Sequence, residues 1–194
     1  MAAALPDGDR TGIASATLAL DGGTSLWRSI SFATAGVVAI TFAAKAQIPF
    51  WPIPLTLQSL VVLVLGAAFG PALGGATVLL YLMAGLSGLP VFAGSGHGAP
   101  AFQGPTGGFL IGFLVATICV GWLVRRGGWG TTLASAAVAM LVGHAVLFVP
   151  GLVWLAHIVG NARAVEIGLS PFIAAIAFKI AVGAVLIRML PRTH

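Results

Sequence analysis

Charged side chains are scarce in this chain of 194 residues. Only 7% of the residues are Asp, Glu, Lys or Arg, whereas a water-soluble domain usually carries about 25%. Hydrophobic residues make up 59% of the chain, and the mean hydropathy is +1.08. Because a disordered chain needs low hydrophobicity and high net charge, this composition excludes disorder as well as a soluble globule. We therefore predict an all-α polytopic membrane protein.

Acidic residues and cysteines are scarcer still. Four acids and one cysteine are present, and three of the acids (Asp7, Asp9 and Asp21) lie near the N-terminus. The chain has no P-loop, no paired carboxylates and no Ser/His/Asp set, so we expect no enzymatic activity and no catalytic residues. Cys119 stands alone, and no His pair has metal-ligand spacing, so we expect no disulfide, metal site or cofactor. Nine Lys and Arg residues are too few for a nucleic-acid-binding patch.

Long apolar runs dominate what is present. At about 20 residues per crossing, the length allows about six transmembrane helices. Proline, glycine and charged residues separate these runs and set their predicted limits. The predicted spans are residues 27–46, 55–69, 71–86, 107–124, 131–149 and 172–190, with a bend at Pro150 and a short segment, 152–159, after it.

The basic residues predict the orientation of these spans. With six crossings, both termini lie on one side of the membrane, and that side receives most of the arginines. In a membrane protein such an excess marks the cytoplasmic side, so both termini are predicted to be cytoplasmic. The arginines on that side are Arg10, Arg28, Arg125, Arg126, Arg188 and Arg192, whereas Arg163 and Lys45 lie on the other.

The chain divides into a polar start and an apolar remainder. Residues 1–25 carry three Asp residues and lack the basic start and apolar core of a signal peptide. We expect a flexible tail over 1–25 and a transmembrane domain over 26–194. Two outer segments interrupt that domain. One is rich in proline (47–54) and cannot continue a helix; the other is long, uncharged and rich in glycine (88–107), and loops of that size usually have a role.

Lys179 is the most informative single residue. It lies about seven residues inside the sixth predicted span, roughly 10 Å below the outer surface at 1.5 Å per residue. A lysine at such a depth costs at least about 2.5–3.5 kcal/mol on insertion scales and usually faces a cavity. No acidic residue falls within any predicted span. The ammonium is therefore expected to receive an anionic ligand such as a carboxylate, although snorkelling toward the interface is the alternative.

Other polar and aromatic residues near the outer side are weaker candidates. Gln58 could offer a donor and an acceptor to a ligand amide, or it could cap the broken backbone together with Thr56. Trp51 and Phe92 could line a pocket or form an interfacial belt. His144 is most simply explained as a buried ring hydrogen-bonded to the backbone.

Small residues recur at intervals of four. Ala35, Ala39 and Ala43 form one such stripe on the first span, and two glycine pairs, Gly66 with Gly70 and Gly108 with Gly112, form others. In lipid, small residues at this spacing let helices approach closely, either within one fold or against a partner subunit.

Three sequence motifs stand out: IPFWPIPLTLQSL at residues 48–60, GLSGLPVFAG at 85–94 and GPTGGFLIGF at 104–113. Together they resemble the BioY family, the biotin-specific S components of energy-coupling factor (ECF) transporters. The resemblance covers roughly residues 28–190. It implies a six-helix ECF S-component fold and an outer biotin site beneath the first and third loops.

The resemblance also implies roles for individual residues. Lys179 corresponds to the family's last-helix lysine and is expected to meet the carboxylate of biotin. The small residues of the first helix, Ala35, Ala39 and Ala43, are expected to dock the T component. The expected substrate-binding set is Lys179, Thr56, Gln58, Trp51, Phe92, Gln103, Thr106 and Phe109.

Two positions depart from the pattern of the family. Ile176 stands where many relatives carry an acidic residue. In the third loop, some relatives carry an Asn near the position of Gly94. Contacts to the ureido ring must therefore come from elsewhere, and Gln58, Gln103, Thr106 and backbone amides are the candidates.

The expected function is biotin capture for ECF-type uptake in the inner (plasma) membrane, with a T component and ATPase subunits as partners and membrane lipid around the helices. The alternative is a solitary or homo-oligomeric BioY that moves biotin without the ATPases.

Overall fold

Helices form most of the chain. The structure is a computed structural model, and it describes residues 11–49 and 51–190, with side chains from residue 25 onward. Two short strands pair antiparallel between the first two helices, and a 3-10 turn, Ser170–Phe172, precedes the last helix. In chain order the elements are α1 (Thr11–Lys45), β1 (Gln47–Ile48), β2 (Leu55–Thr56), α2 (Gln58–Leu86), α3 (Gly98–Gln103), α4 (Gly107–Arg125), α5 (Leu133–Val159), α6 (Asn161–Gly168) and α7 (Ile173–Met189).

Five helical segments are long and apolar enough to cross a membrane, as judged by length and composition. The multi-pass character predicted from composition is therefore confirmed. Helix α4 is the most enclosed, with 56% of its most apolar window buried inside the protein, and α1 is the least enclosed, with 17%. The part of α1 with described side chains, Ser25–Lys45, thus leaves most of its surface to lipid or to a partner.

Helix α2 is a hairpin of two antiparallel arms, residues 58–69 and 71–86. Gly70 breaks it with a φ of 80° and a ψ of 176°, and Pro71 starts the second arm. A Cβ placed on Gly74 would lie 3.2 Å from the Cα of Gly66, although eight residues of straight helix span about 12 Å. With the two arms counted separately, the described chain has six long helical segments, and they correspond in order to the six predicted spans.

Glycines let the helices of the bundle approach one another closely. A Cβ on Gly66 would lie 2.5 Å from the carbonyl oxygen of Thr117 on α4, and one on Gly112 would lie 2.4 Å from that of Leu147 on α5. Both contacts are closer than real Cβ atoms make, so only glycine allows these backbones to approach so far. The glycine stripes predicted from the sequence therefore bring helices together within this fold.

The bundle has two chemically different ends. The first arm of α2 begins at one end with Gln58, and at the other end the Arg125 side chain of α4 donates a hydrogen bond to the carbonyl of Ala68. Arg28, at the start of the apolar part of α1, lines a cleft with Arg125. The sequence assigns both Arg28 and Arg125 to the cytoplasmic side, and the structure places the two in the same cleft.

Two segments differ from expectation, and a third boundary is not tested. Helix α5 does not stop at residue 149 but continues through Pro150 to Val159, because α4 accommodates the proline: a Cβ on Gly112 would lie only 3.2 Å from the Pro150 ring. The proline-rich segment lies within a β-hairpin, in which Gln47 pairs with Thr56. Helix α1 begins at Thr11, inside the expected tail, while residues 1–10 lie outside the described residues; the division at residue 25 stays a prediction.

Candidate ligand-binding site

A cavity of about 170 Å³ lies at the end of the bundle opposite the arginine cleft. Its lining comes from the β-hairpin, the first arm of α2, the 88–107 loop with α3, and the neighbouring parts of α4, α5 and α7. The lining residues are Ile53, Pro54, Thr56, Gln58, Ser59, Phe92, Ala93, Gly96, Ala101, Thr106, Phe109, Leu110, Phe113, Leu147, Phe148, Phe172 and Lys179. The cavity is therefore largely apolar, with a few convergent polar groups, which is the usual make-up of a small-molecule site.

Lys179 supplies the cation of this cavity. The side chain is 5% exposed, and its Nζ donates one hydrogen bond of 3.0 Å to the Ser59 hydroxyl. An ammonium carries three donors, and no other hydrogen bond or ion pair of Lys179 is found among the residues whose side chains are described. A buried charge of this kind is costly unless it is paired. The cavity is thus suited to an anion placed against Lys179.

Gln58 supplies an amide to the cavity lining. It is 4% exposed, and its Nε2 donates to the Tyr81 hydroxyl at 2.9 Å. Its backbone N–H donates to Thr56 Oγ1 at 3.3 Å, which fixes the start of α2. Thr106, which also lines the cavity, uses its hydroxyl to donate to the carbonyl of Ala101 at 3.3 Å. Of the polar residues that line the cavity, Gln58 and Lys179 are the most enclosed.

Aromatic rings form the apolar wall in two groups. Phe92 packs edge to face against Tyr81, with ring centroids 5.4 Å apart, and against Phe102, at 5.6 Å. On the other side Phe148 contacts Phe109 at 5.4 Å and Phe172 at 6.1 Å. Such pairs contribute about 0.5–1.5 kcal/mol beyond the burial of their area. Four of these rings, Phe92, Phe109, Phe148 and Phe172, line the cavity.

Glycine makes room for the Phe92 ring. A Cβ at Gly85 would lie 2.0 Å from the ring carbon Cζ of Phe92, so any side chain there would displace the ring. Phe92 itself is 3% exposed. The GLSG sequence that ends α2 therefore seats the aromatic side chain that covers the cavity.

Side chains from two helices hold the loop that carries Phe92. Lys45, in the last turn of α1, donates to the carbonyls of Phe92 at 2.8 Å and of Gly94 at 2.7 Å. Trp154 on α5 donates from Nε1 to the carbonyl of Gly104 at 2.9 Å. We call the 88–107 loop the cover of the cavity. These hydrogen bonds attach the cover to the bundle near both of its ends.

The structure brings six of the eight predicted substrate-binding residues to this cavity and leaves two outside. The six are Lys179, Thr56, Gln58, Phe92, Thr106 and Phe109. Trp51 is 84% exposed and Gln103 is exposed, and neither lines the cavity. Their distance from the lining follows from the tight hairpin turn and from the surface position of α3. A binding role for each of the eight stays a prediction.

The departures from the family pattern also lie outside the lining. Ile176 is half-buried and Gly94 is exposed, and neither contributes to the cavity wall. Among the predicted docking residues, Ala35 and Ala39 are exposed on α1, whereas Ala43 is 7% exposed and packs inside the fold.

Sequence reasoning missed several residues at the site. Tyr81 is the only tyrosine of the chain and is fully buried; a hydroxyl in so apolar a helix needs a partner, which was the available signal. Ser59 follows Gln58 directly, yet nothing in the sequence indicates that it meets Lys179. The described residues contain no group of three His, Cys, Asp or Glu side chains able to hold a metal ion.

Fold and site together define a small helical membrane protein with a ligand cavity at one end of its bundle. A solved structure described as the S-component for biotin from an ECF-type ABC transporter has the same fold, with a TM-score of 0.75 over 85% of this chain and 91% of that one, at 24% identity. The predicted S-component fold is confirmed.

Sequence comparisons identify the family. The BioY family model matches residues 15–194. The "Probable biotin transporter BioY" of Pyrococcus horikoshii is 35% identical over 75% of this chain and 85% of its own length. "Biotin transporter BioY2" of Lactococcus lactis is 31% identical over 86% of this chain and 93% of its own. The chain belongs to the BioY family, as its motifs predict.

Proposed function

We propose that this chain captures biotin in the cavity and serves as the substrate-binding membrane subunit of a biotin uptake system. The carboxylate of biotin pairs with Lys179, and its apolar bicycle lies among the phenylalanine rings. The observation that carries the proposal is the buried Lys179 ammonium, which makes a single hydrogen bond, to Ser59, among the residues whose side chains are described. A charge-assisted hydrogen bond to a ligand carboxylate compensates for its burial.

Biotin binding to the purified protein tests this proposal. Calorimetry compares wild type with Lys179→Met, which keeps the apolar stem and removes the charge. Loss of one charge-assisted contact should cost about 1.5–3 kcal/mol, or about 10- to 150-fold in Kd. Arg163→Ala is the matched control, because Arg163 is an exposed cation on α6 outside the cavity. A folded wild-type protein that does not bind biotin would refute the proposal.

The orientation that we propose places the cavity on the outer side and both termini in the cytoplasm. Its support is the arginine-bearing cleft at the opposite end, where Arg28 and Arg125 lie together, because excess Lys and Arg mark the cytoplasmic side. The host membrane in this proposal is the inner (plasma) membrane. Cysteine labelling from outside tests the orientation: Ser95→Cys in the cavity loop should react, and Gly128→Cys between α4 and α5 should not.

The partners that we propose are a T component and ATPase subunits, and α1 is the proposed docking helix. Ala35 and Ala39 are exposed on α1, beside the exposed Val38 and Phe42, so a helix could approach closely there. Ala39→Trp should then abolish uptake driven by the partners and leave biotin binding unchanged. Uptake into liposomes by this chain alone would instead support the solitary alternative.

A further inference from the structure

The structure points to a role for Tyr81 that the motifs do not assign. We infer that Tyr81 is a positioning residue that fixes the side-chain amide of Gln58, so that the amide oxygen faces the ligand and the cavity selects an N–H donor at that point. This inference rests on the proposed function, since the N–H donors in question are those of the ureido group of biotin.

The direction of each hydrogen bond at Tyr81 follows from chemistry. The Tyr81 hydroxyl lies 3.0 Å from the carbonyl oxygen of Val91. A carbonyl only accepts, so the hydroxyl uses its single hydrogen there. The oxygen of Tyr81 can then only accept from Gln58, whose amide lies 2.9 Å away. The atom of Gln58 that meets Tyr81 must therefore be the NH₂ nitrogen, even though oxygen and nitrogen of an amide have nearly the same shape.

The same network leaves the amide oxygen of Gln58 for the ligand. Over the part of the chain with described side chains, nothing donates a hydrogen bond to Gln58 Oε1. Gln58 as a whole is only 4% exposed, but its Oε1 atom is not fully enclosed. Gln58 lines the cavity. The Gln58 amide oxygen is therefore available as an acceptor for an N–H group of the ligand, beside the second hydrogen of its NH₂ group.

Burial makes this orientation selective. An amide on an exposed surface rotates to suit its ligand, but a flip of Gln58 would place its oxygen against the Tyr81 oxygen and leave two acceptors facing one another. A buried polar group without a partner costs about 1–3 kcal/mol. Tyr81 thus keeps Gln58 in one orientation before the ligand arrives, and Val91, on the loop that covers the cavity, keeps Tyr81 in place.

A double-mutant cycle tests the inference. Tyr81→Phe keeps the ring that packs on Phe92 and removes only the hydroxyl, and Gln58→Leu removes the amide. The affinity for biotin is measured for wild type, both single variants and the double variant. Tyr81→Phe should weaken binding about three- to tenfold in the wild-type background, the effect of roughly one hydrogen bond. In the Gln58→Leu background it should change the affinity less than about twofold, because the amide through which Tyr81 acts is gone.

A second measurement compares the affinities for biotin and for biotin methylated on a ureido nitrogen. If Tyr81 had only a structural role, Tyr81→Phe would not change the preference between these ligands. Wild type should prefer biotin to at least one of the two mono-methyl forms, and both Tyr81→Phe and Gln58→Leu should reduce that preference. An equal loss of affinity for all ligands, persisting in the Gln58→Leu background, would overturn the inference and assign Tyr81 to packing alone. If Tyr81→Phe does not fold, an undiminished preference in Gln58→Leu overturns it equally. A wild-type protein that binds no biotin would refute the proposed function instead, so the two failures are distinguishable.

Discussion

Lys45 and Lys179 both lie at the cavity end of the bundle, but the protein uses their ammonium groups differently. Lys45 is exposed and donates to two loop carbonyls at 2.8 and 2.7 Å. Lys179 is 5% exposed and donates to one hydroxyl. The first lysine holds the cover of the cavity, whereas the second retains donors for a ligand. The two lysines thus differ in burial as well as in hydrogen bonding, and we propose that this difference separates a structural cation from a binding one.

The largest effect is expected from removal of the buried charge in the absence of ligand. Lys179→Met should raise the free energy of unfolding by about 1–3 kcal/mol, because an incompletely paired charge no longer has to be buried. The measurement is unfolding in detergent micelles without biotin. A destabilised variant would show that Lys179 is a structural cation like Lys45, and the proposed difference between the two lysines would be wrong.

An intermediate effect is expected at the cover. Lys45→Met removes both hydrogen bonds to the Phe92 loop, so the cover should open more often and biotin should dissociate about three- to tenfold faster. Stopped-flow release of labelled biotin measures this rate, and Lys45→Arg, which retains donors and charge, serves as the control. An unchanged dissociation rate would show that the hydrogen bonds of Lys45 do not hold the cover closed.

The smallest effect is expected at Trp51. Its side chain is 84% exposed and lies outside the cavity lining, so Trp51→Ala should change the biotin affinity less than about twofold, as surface substitutions usually do. Calorimetry beside the Lys179 variant checks this. A tenfold loss would restore the binding role that the sequence predicts for Trp51.

Much of the fold could be predicted because bilayer physics acts on short stretches of sequence. Apolar runs, their separators and the glycine stripes are all local features, and they predict the spans and their close approach. The continuation of α5 through Pro150 could not be predicted, because the space for that ring comes from Gly112 on a different helix.

The site was predicted in part for the same reason. Lys179 is conspicuous because no other predicted span carries a charge at such depth. The pairing of Gln58 with Tyr81 depends instead on the reversal at Gly70, which sets the register between the two arms of α2. Neither hydrophobic periodicity nor a sequence motif encodes such a register. The contacts of Tyr81 with Gln58 and of Ser59 with Lys179 are therefore seen only in the structure.

The measurement that tests the central claim most directly compares biotin with its amide, in which the carboxylate is replaced by a neutral group of similar size. If Lys179 binds the carboxylate, wild type should prefer biotin by about 10- to 150-fold, and Lys179→Met should bind the two ligands with nearly equal affinity. A Lys179→Met protein that keeps the full preference for the acid would contradict the account, because another group would then hold the carboxylate.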